Sequence, residues 1–170
     1  MPRIHVCSLR RVEETVRETG ARTLVTLIEA GLPVARPAAI APDRHLFVGV
    51  SDIIEQTDGY VLAHPAHIDE FLSFVRRWDR REPIVMHCYA GVSRSTAAAF
   101  IAACALRPER PEQVFARRLR HASPTATPNA RLVALADQLL GRDGRMVAAI
   151  AAIGRGAECF EGVPFALDLT

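Results

Sequence analysis

The stretch Ile84-Val85-Met86-His87-Cys88-Tyr89-Ala90-Gly91-Val92-Ser93-Arg94-Ser95-Thr96 decides how this chain is read. Ile84–His87 is a short apolar run of the kind found in a strand covered on both faces. A helix is expected over Ser95–Leu106, alanine-rich and apolar almost all round, and therefore central. Between the two lies a turn with Gly91 at its centre. A strand-to-helix turn of this form aims successive backbone N–H groups at one point, which is also the positive end of a helix dipole, so it is an anion site by construction. Gly91 allows close backbone approach or a positive φ. Arg94, separated from Cys88 by five residues, can return its planar fork to two oxygens of the same anion.

Cys88 stands at the start of this cradle. Helix N-termini and nearby cations lower a thiol pKa from about 8.5 to roughly 3.5–7.5. The expectation is an ionised sulfur facing a bound phosphate. Attack on phosphorus gives a cysteinyl-phosphate that water then removes, with the loop amides and Arg94 holding the equatorial oxygens. Ser95 is placed to donate a hydrogen bond to Cys88 and help the sulfur leave. The loop positions Tyr89, Ala90, Gly91, Val92, Ser93 and Arg94 are the expected substrate-binding residues.

Outward from this stretch, strand-like and helical patterns alternate. Strands are expected at Ile4–Leu9, Thr23–Ile28 and Leu46–Val50, besides Ile84–His87. Arg11–Thr19 reads as a helix stopped by Gly20. Pro65–Trp78 carries Ile68, Phe71, Leu72, Val75 and Trp78 on one stripe, behind a proline suited to the first turn. Further helices are expected at Pro111–Arg120, Pro128–Leu140 (with Thr127 as N-cap) and Arg145–Ile153. Gly31–Arg44 is proline-rich and reads as a surface loop. Glu161–Thr170 is apolar enough to dock on the body at an unspecified place. The pattern predicts an α/β domain spanning residues 1–170, with a small, mostly parallel central sheet of four or five strands flanked by helices and a helical C-terminal third. Ligands in such folds sit beyond the carboxyl ends of the strands.

The chain has 170 residues, 49% hydrophobic and 24% charged, with a net charge of +2. These values exclude a disordered chain and give no argument for nucleic-acid or membrane binding. No apolar run approaches the ~18 residues of a membrane span, and no secretory signal is visible at the N-terminus, so a cytoplasmic location is expected. All 21 basic residues are arginine, which excludes Schiff-base and Walker-lysine chemistry. The cysteines at 7, 88, 104 and 159 form no CxxC pair, so a zinc ribbon or thioredoxin-like motif is not expected.

The run His87-Cys88-x-x-Gly91-x-Ser93-Arg94-Ser95 resembles the active-site loop of the cysteine-dependent protein tyrosine phosphatases, in their dual-specificity-like branch. The resemblance extends over about residues 1–140; the last thirty residues match nothing in the family pattern. It implies a phosphatase fold, no metal or cofactor, and a phosphorylated protein or small phosphomonoester as substrate. It also implies that His87 orients the loop by hydrogen bonding. The family's general acid is an aspartate on a mobile loop just after a strand. Asp52, directly after Leu46–Val50, fits that position, and Asp58 in Thr57-Asp58-Gly59 is the rival, reading as a turn residue. The Asp52–Cys88 spacing of 36 residues is long for compact members, and the Trp-Pro-Asp pattern of larger relatives is absent. Asn129 in Thr-Pro-Asn resembles a late Pro-Asn of the same branch, against a reading as a plain first-turn helix residue.

Several other features read as structural. His64 and His67 are expected at a helix start, Cys7 and Cys104 in the core, and Arg76, Arg77, Arg80 and Arg81 as a solvated cluster. With no basic residue at Tyr89, Ala90 or Val92, a protein or aryl phosphate is favoured over a phosphoinositide or other small phosphate. A catalytically silent phosphate-binding module is the alternative outside the enzyme class.

Overall fold

The computed structural model describes residues 3–170. Its sheet has five strands in the order β3-β2-β4-β1-β5. They are β1 (Arg3–Ser8), β2 (Thr23–Ile28), β3 (His45–Gly49), β4 (Ile84–Cys88) and β5 (Phe165–Asp168). The first four are parallel to one another, and β5 runs antiparallel to β1, pairing Val6 with Phe165 and Arg3 with Asp168. β2 and β4 are buried at every position. That burial requires the near-continuous apolar runs seen in the sequence. The C-terminal segment thus docks as an edge strand, an exception to the helical C-terminal third.

Alternation along the strands divides the core. Ile4, Val6, Val25, Leu27, Ile84 and Met86 face the larger cluster, built with helices α2 (Pro65–Arg77), α3 (Arg94–Leu106), α4 (Glu112–Ala122), α5 (Ala130–Leu139) and α6 (Arg145–Ile153). Cys7, Leu24 and Val85 face the smaller one, covered by Val12 and Val16 of α1 (Val12–Thr19) and by Ile40. The segment 31–44 is largely exposed, as read from the sequence, with Ile40 the main exception. Its side chain is fully buried. Helix α3 runs through the middle, buried at every position from Arg94 to Cys104. Replacing its Phe100 by alanine is a core deletion of the roughly 3–5 kcal/mol class.

The starts of α5 and α6 help to position the loops beside β4. α5 is capped by Asn129, whose Oδ1 accepts from Leu132 N–H at 3.0 Å. The expected cap, Thr127, lies outside the helix, because the Asn129 side chain reaches the third helical amide and Pro128 precedes it. α6 is capped from a distance: Asp137 of α5 accepts from Gly144, Met146 and Val147 N–H. Beside it, buried Glu112 pairs with Arg142 at 2.8 Å and with Arg145 at 3.3 Å. Burial pushes the Glu112 carboxyl up, but hydrogen bonds from its own backbone N–H and from Arg142, with Arg145 nearby, hold it below the usual range. These contacts fix the start of α6 against α4 and α5. Among the described residues, no helix is long and apolar enough to cross a membrane.

Candidate active site

The turn after β4 is held by its carbonyls. Leu9 N–H donates to Tyr89 O, Gly162 N–H to Ala90 O, Thr127 N–H to Val92 O, and both Ala97 and Asn129 N–H to Ser93 O. The Thr96 hydroxyl adds bonds to Val92 O and Ser93 O. In a trans peptide the C=O of one residue and the N–H of the next point opposite ways. Carbonyls drawn outward at 89, 90, 92 and 93 therefore turn the N–H groups of Ala90, Gly91, Ser93 and Arg94 inward, toward one point. This is the orientation an anion nest requires, and four surrounding segments hold it. Gly91 has φ +73°, and a Cβ there would lie 2.8 Å from the Cys7 and Ser8 backbone, so both reasons for glycine apply.

Cys88 Sγ sits at the base of the nest. Gly91 N–H donates to it at 3.3 Å, and Ser95 Oγ lies 3.0 Å away. The neighbouring His87 is fully buried. Its Nδ1 faces Cys88 O at 3.3 Å, and its Nε2 lies 2.7 Å from Thr26 Oγ1, which is itself 2.8 Å from His45 Nε2. Cys88 O can only accept, so His87 Nδ1 carries the hydrogen and Nε2 accepts from the Thr26 hydroxyl. Thr26 Oγ1 then accepts from His45 Nε2–H. Burial lowers the His87 pKa to about 4. Burial, with Arg36 nearby, lowers that of His45 as well. The neutral imidazole is thus fixed in one tautomer.

Arg94, also buried, donates through Nη1 to Glu29 Oε1 and to Val50 O, both at 2.9 Å. These two acceptors, from the ends of β2 and β3, fix one edge of the guanidinium. Its Nε is left buried and without a partner, the one such side-chain nitrogen or oxygen among the described residues. A buried donor with no acceptor is costly. An oxyanion in the nest would satisfy it.

Asp52 is brought to the same place. Its Oδ1 accepts from Ser93 Oγ at 2.7 Å and from Asn129 Nδ2 at 2.9 Å, while Asn129 also donates to Ile53 O. Asp58 is exposed in a turn closed by Tyr60 N–H to Thr57 O. The structure thus brings Cys88, the loop residues 89–95, His87 and Asp52 together and leaves Asp58 aside.

Residues 57–123 match the protein-tyrosine phosphatase family model. Over that stretch the chain is similar to the protein-tyrosine phosphatases. Solved structures similar to this chain include human DUSP28, at 20% identity over 82% of this chain and 94% of that one, with a TM-score of 0.61. DUSP15 is 14% identical over 88% and 89%, with a TM-score of 0.63. The Cydia pomonella PTP-2 phosphatase is 18% identical over 79% and 84%, with a TM-score of 0.62. At these identities the likeness is one of fold. No curated protein sequence matches the chain.

The remaining sequence candidates fall elsewhere in the structure. His67 Nδ1 accepts from His64 N–H at the start of α2. Arg76, Arg77, Arg80 and Arg81 are exposed at the amino end of β4, the far end of the sheet from Cys88. Cys7 and Cys104 are buried, and burial pushes their thiols up to about 11 and about 12. A cavity of about 550 Å³ between α4 and β5 also lies at that far end, whereas one of about 320 Å³ adjoins Asp52 and Ser93. The residues missed in the sequence are Glu29, Thr26, His45 and the segment 154–163. Only Gly156 and Gly162 hinted at the last, since a Cβ at either would lie within 2.8 Å of neighbouring backbone.

Proposed function

We propose that this phosphatase hydrolyses phosphotyrosine or a similar aryl phosphomonoester, with Cys88 as nucleophile, Arg94 as phosphate clamp and Asp52 as general acid. The observation that carries the reading is the buried, unpartnered Nε of Arg94 beside a nest of inward N–H groups. It supports a tetrahedral oxyanion as the natural occupant.

In the first step the deprotonated sulfur of Cys88 attacks phosphorus opposite the leaving oxygen. The inward N–H groups and Arg94 stabilise the equatorial oxygens, and Asp52 gives its proton to the departing phenolate. In the second step water attacks the cysteinyl-phosphate, Asp52 takes a proton from it, and the Ser95 hydroxyl stabilises the leaving sulfur. His87 holds Cys88 through its carbonyl and carries no proton in the reaction. The uncharged side chains of Tyr89, Ala90 and Val92 support an aryl phosphate over a polyphosphorylated small molecule. The free thiols are consistent with a reducing compartment. We place the protein in the cytoplasm, with the whole chain as one phosphatase domain acting on phosphorylated protein, and with no role in binding nucleic acid.

The test is turnover of p-nitrophenyl phosphate in the presence of a metal chelator, comparing wild type with Cys88→Ser. Turnover by the wild type that is lost in the variant supports the reading. Turnover that requires metal, or that survives the substitution, overturns it.

A further inference from the structure

The segment after α6 has no part in the proposed chemistry, yet it is fastened to the phosphate loop. Gly156 N–H donates to Thr127 Oγ1 at 3.1 Å, and Ala157 N–H to Pro124 O at 3.0 Å. Glu161 Oε1 accepts from Ser8 Oγ at 2.6 Å, and Gly162 N–H donates to Ala90 O at 2.8 Å. Gly162 packs so closely on Gly91 O that a Cβ would lie 2.8 Å from it. A strap tied at both ends in this way has a fixed place relative to the phosphate.

The strap exposes two large apolar side chains, Phe160 and Val163, together with Glu158. Ten large hydrophobic side chains are exposed among the described residues. Six stand on the three segments around the site: Ile54, Tyr60 and Val61 on the Asp52 loop, Tyr89 in the phosphate loop, and Phe160 and Val163 on the strap. Phe160 is fully exposed. Single exposed hydrophobics need no explanation, but these six stand on segments tied down beside the site, with Gly162 N–H donating to Ala90 O and Val61 N–H to Ser51 Oγ. Between strap and acid loop lies the cavity of about 320 Å³, bordered by Asp52, Ser93, Arg155, Glu158 and Cys159. It holds two carboxylates against one guanidinium, and that guanidinium already faces Glu158 at 3.4 Å. A second phosphate or an acidic side chain would meet a net negative wall.

We propose that residues 156–163 form a substrate-recognition strap, and that the apolar rim it shares with the Asp52 loop selects phosphorylated peptides bearing a bulky apolar residue beside the phosphorylated one. This rests on the proposed phosphatase activity and names its substrate class. The phosphate fixes where the substrate body must lie, and the neighbouring residue falls against the rim. Burying one large side chain there is expected to change kcat/KM by about tenfold.

The experiment measures kcat/KM for two phosphotyrosine peptides that differ only in leucine or serine flanking the phosphotyrosine. The readout is the ratio of the two values in wild type, in Phe160→Ser/Val163→Ser, and in Leu139→Ser as an exposed control distant in sequence from the strap. The expected ratio is about ten in wild type and in the control, and about one in the double variant. A wild-type ratio near one, or a ratio unchanged in the double variant, overturns the proposal. So does faster turnover of a phosphorylated lipid in anionic vesicles than of either peptide. Turnover of p-nitrophenyl phosphate by the same preparations separates the two readings. Its presence without a peptide preference sinks the strap alone, and its absence sinks both.

Discussion

Asn129 Nδ2 lies 2.9 Å from Asp52 Oδ1, joining the cap of α5 to the acid loop across 77 positions of sequence. The same side chain caps the helix through its other atom. One amide therefore couples the start of α5 to the placement of the proposed proton donor.

Asp52→Ala is expected to lower kcat by about 10²–10⁴-fold, the usual contribution of a general acid. The acid must be protonated to act, so its contribution fades as pH rises, and removing it flattens the alkaline limb of the kcat profile. Asp58→Ala is expected to leave the profile in place. The reverse pattern, read from steady-state kinetics across pH, would reassign the acid.

Asn129→Ser tests the coupling. Serine still caps a helix but lacks an amide to reach Asp52. The expected result is a fall in kcat of about tenfold, as for one lost hydrogen bond, with little change in Tm. Asn129→Ala is expected to lose about 1 kcal/mol of stability as well. Equal losses of activity and Tm in the serine variant would make Asn129 a purely structural residue.

Arg94→Lys keeps the charge and removes the fork. Lysine has no counterpart of the buried Nε, and it cannot hold Glu29 and a phosphate in one plane. The expected loss in kcat/KM is about 10²-fold or more, as for removal of a preorganised oxyanion donor. Competitive inhibition by inorganic phosphate should weaken in parallel. Retained phosphate inhibition would show that the nest alone suffices.

His87 gives a pH dependence of stability with a defined sign. Its folded pKa is near 4, against an ordinary value of 6.5. Between these values the unfolded chain binds the extra proton and the folded chain does not, so stability is full above about pH 6.5 and falls as pH drops toward 4. The depression corresponds to a loss on the order of 3 kcal/mol below that window. Urea unfolding at pH 7.5 and 4.5 should show a drop that is smaller in His87→Asn. Equal slopes in both proteins would place the titration elsewhere.

How much was legible in the sequence depends on how local each feature is. Cys88, Gly91 and Arg94 belong to one strand-turn-helix, where thirteen consecutive residues carry strand, nest and helix start together. Asp52 drew attention by its position after a strand, and the fold places it against Ser93 and Asn129. The tautomer of His87 was not legible, because it depends on Thr26 and on His45 beyond it, brought alongside through the pairing of β2 with β4 and β3. Likewise no pattern in 31–44 marks Ile40 as core; it is buried in the cluster that holds Val12 and Val16 of α1 with Leu24 and Val85 of the sheet.

The sequence by itself determined the parallel sheet, the helices around it and the glycine-centred turn between β4 and α3, because apolar periodicity and glycine conformational freedom act over a few neighbouring residues. The tertiary structure decided which carbonyls hold that turn, which carboxylate fixes Arg94, and that the chain beyond α6 returns as a strap and an edge strand. Those outcomes rest on hydrogen bonds between residues far apart in the chain, such as Gly162 to Ala90 and Arg94 to Glu29. Such pairs meet only once the sheet order is set, and no local pattern encodes them.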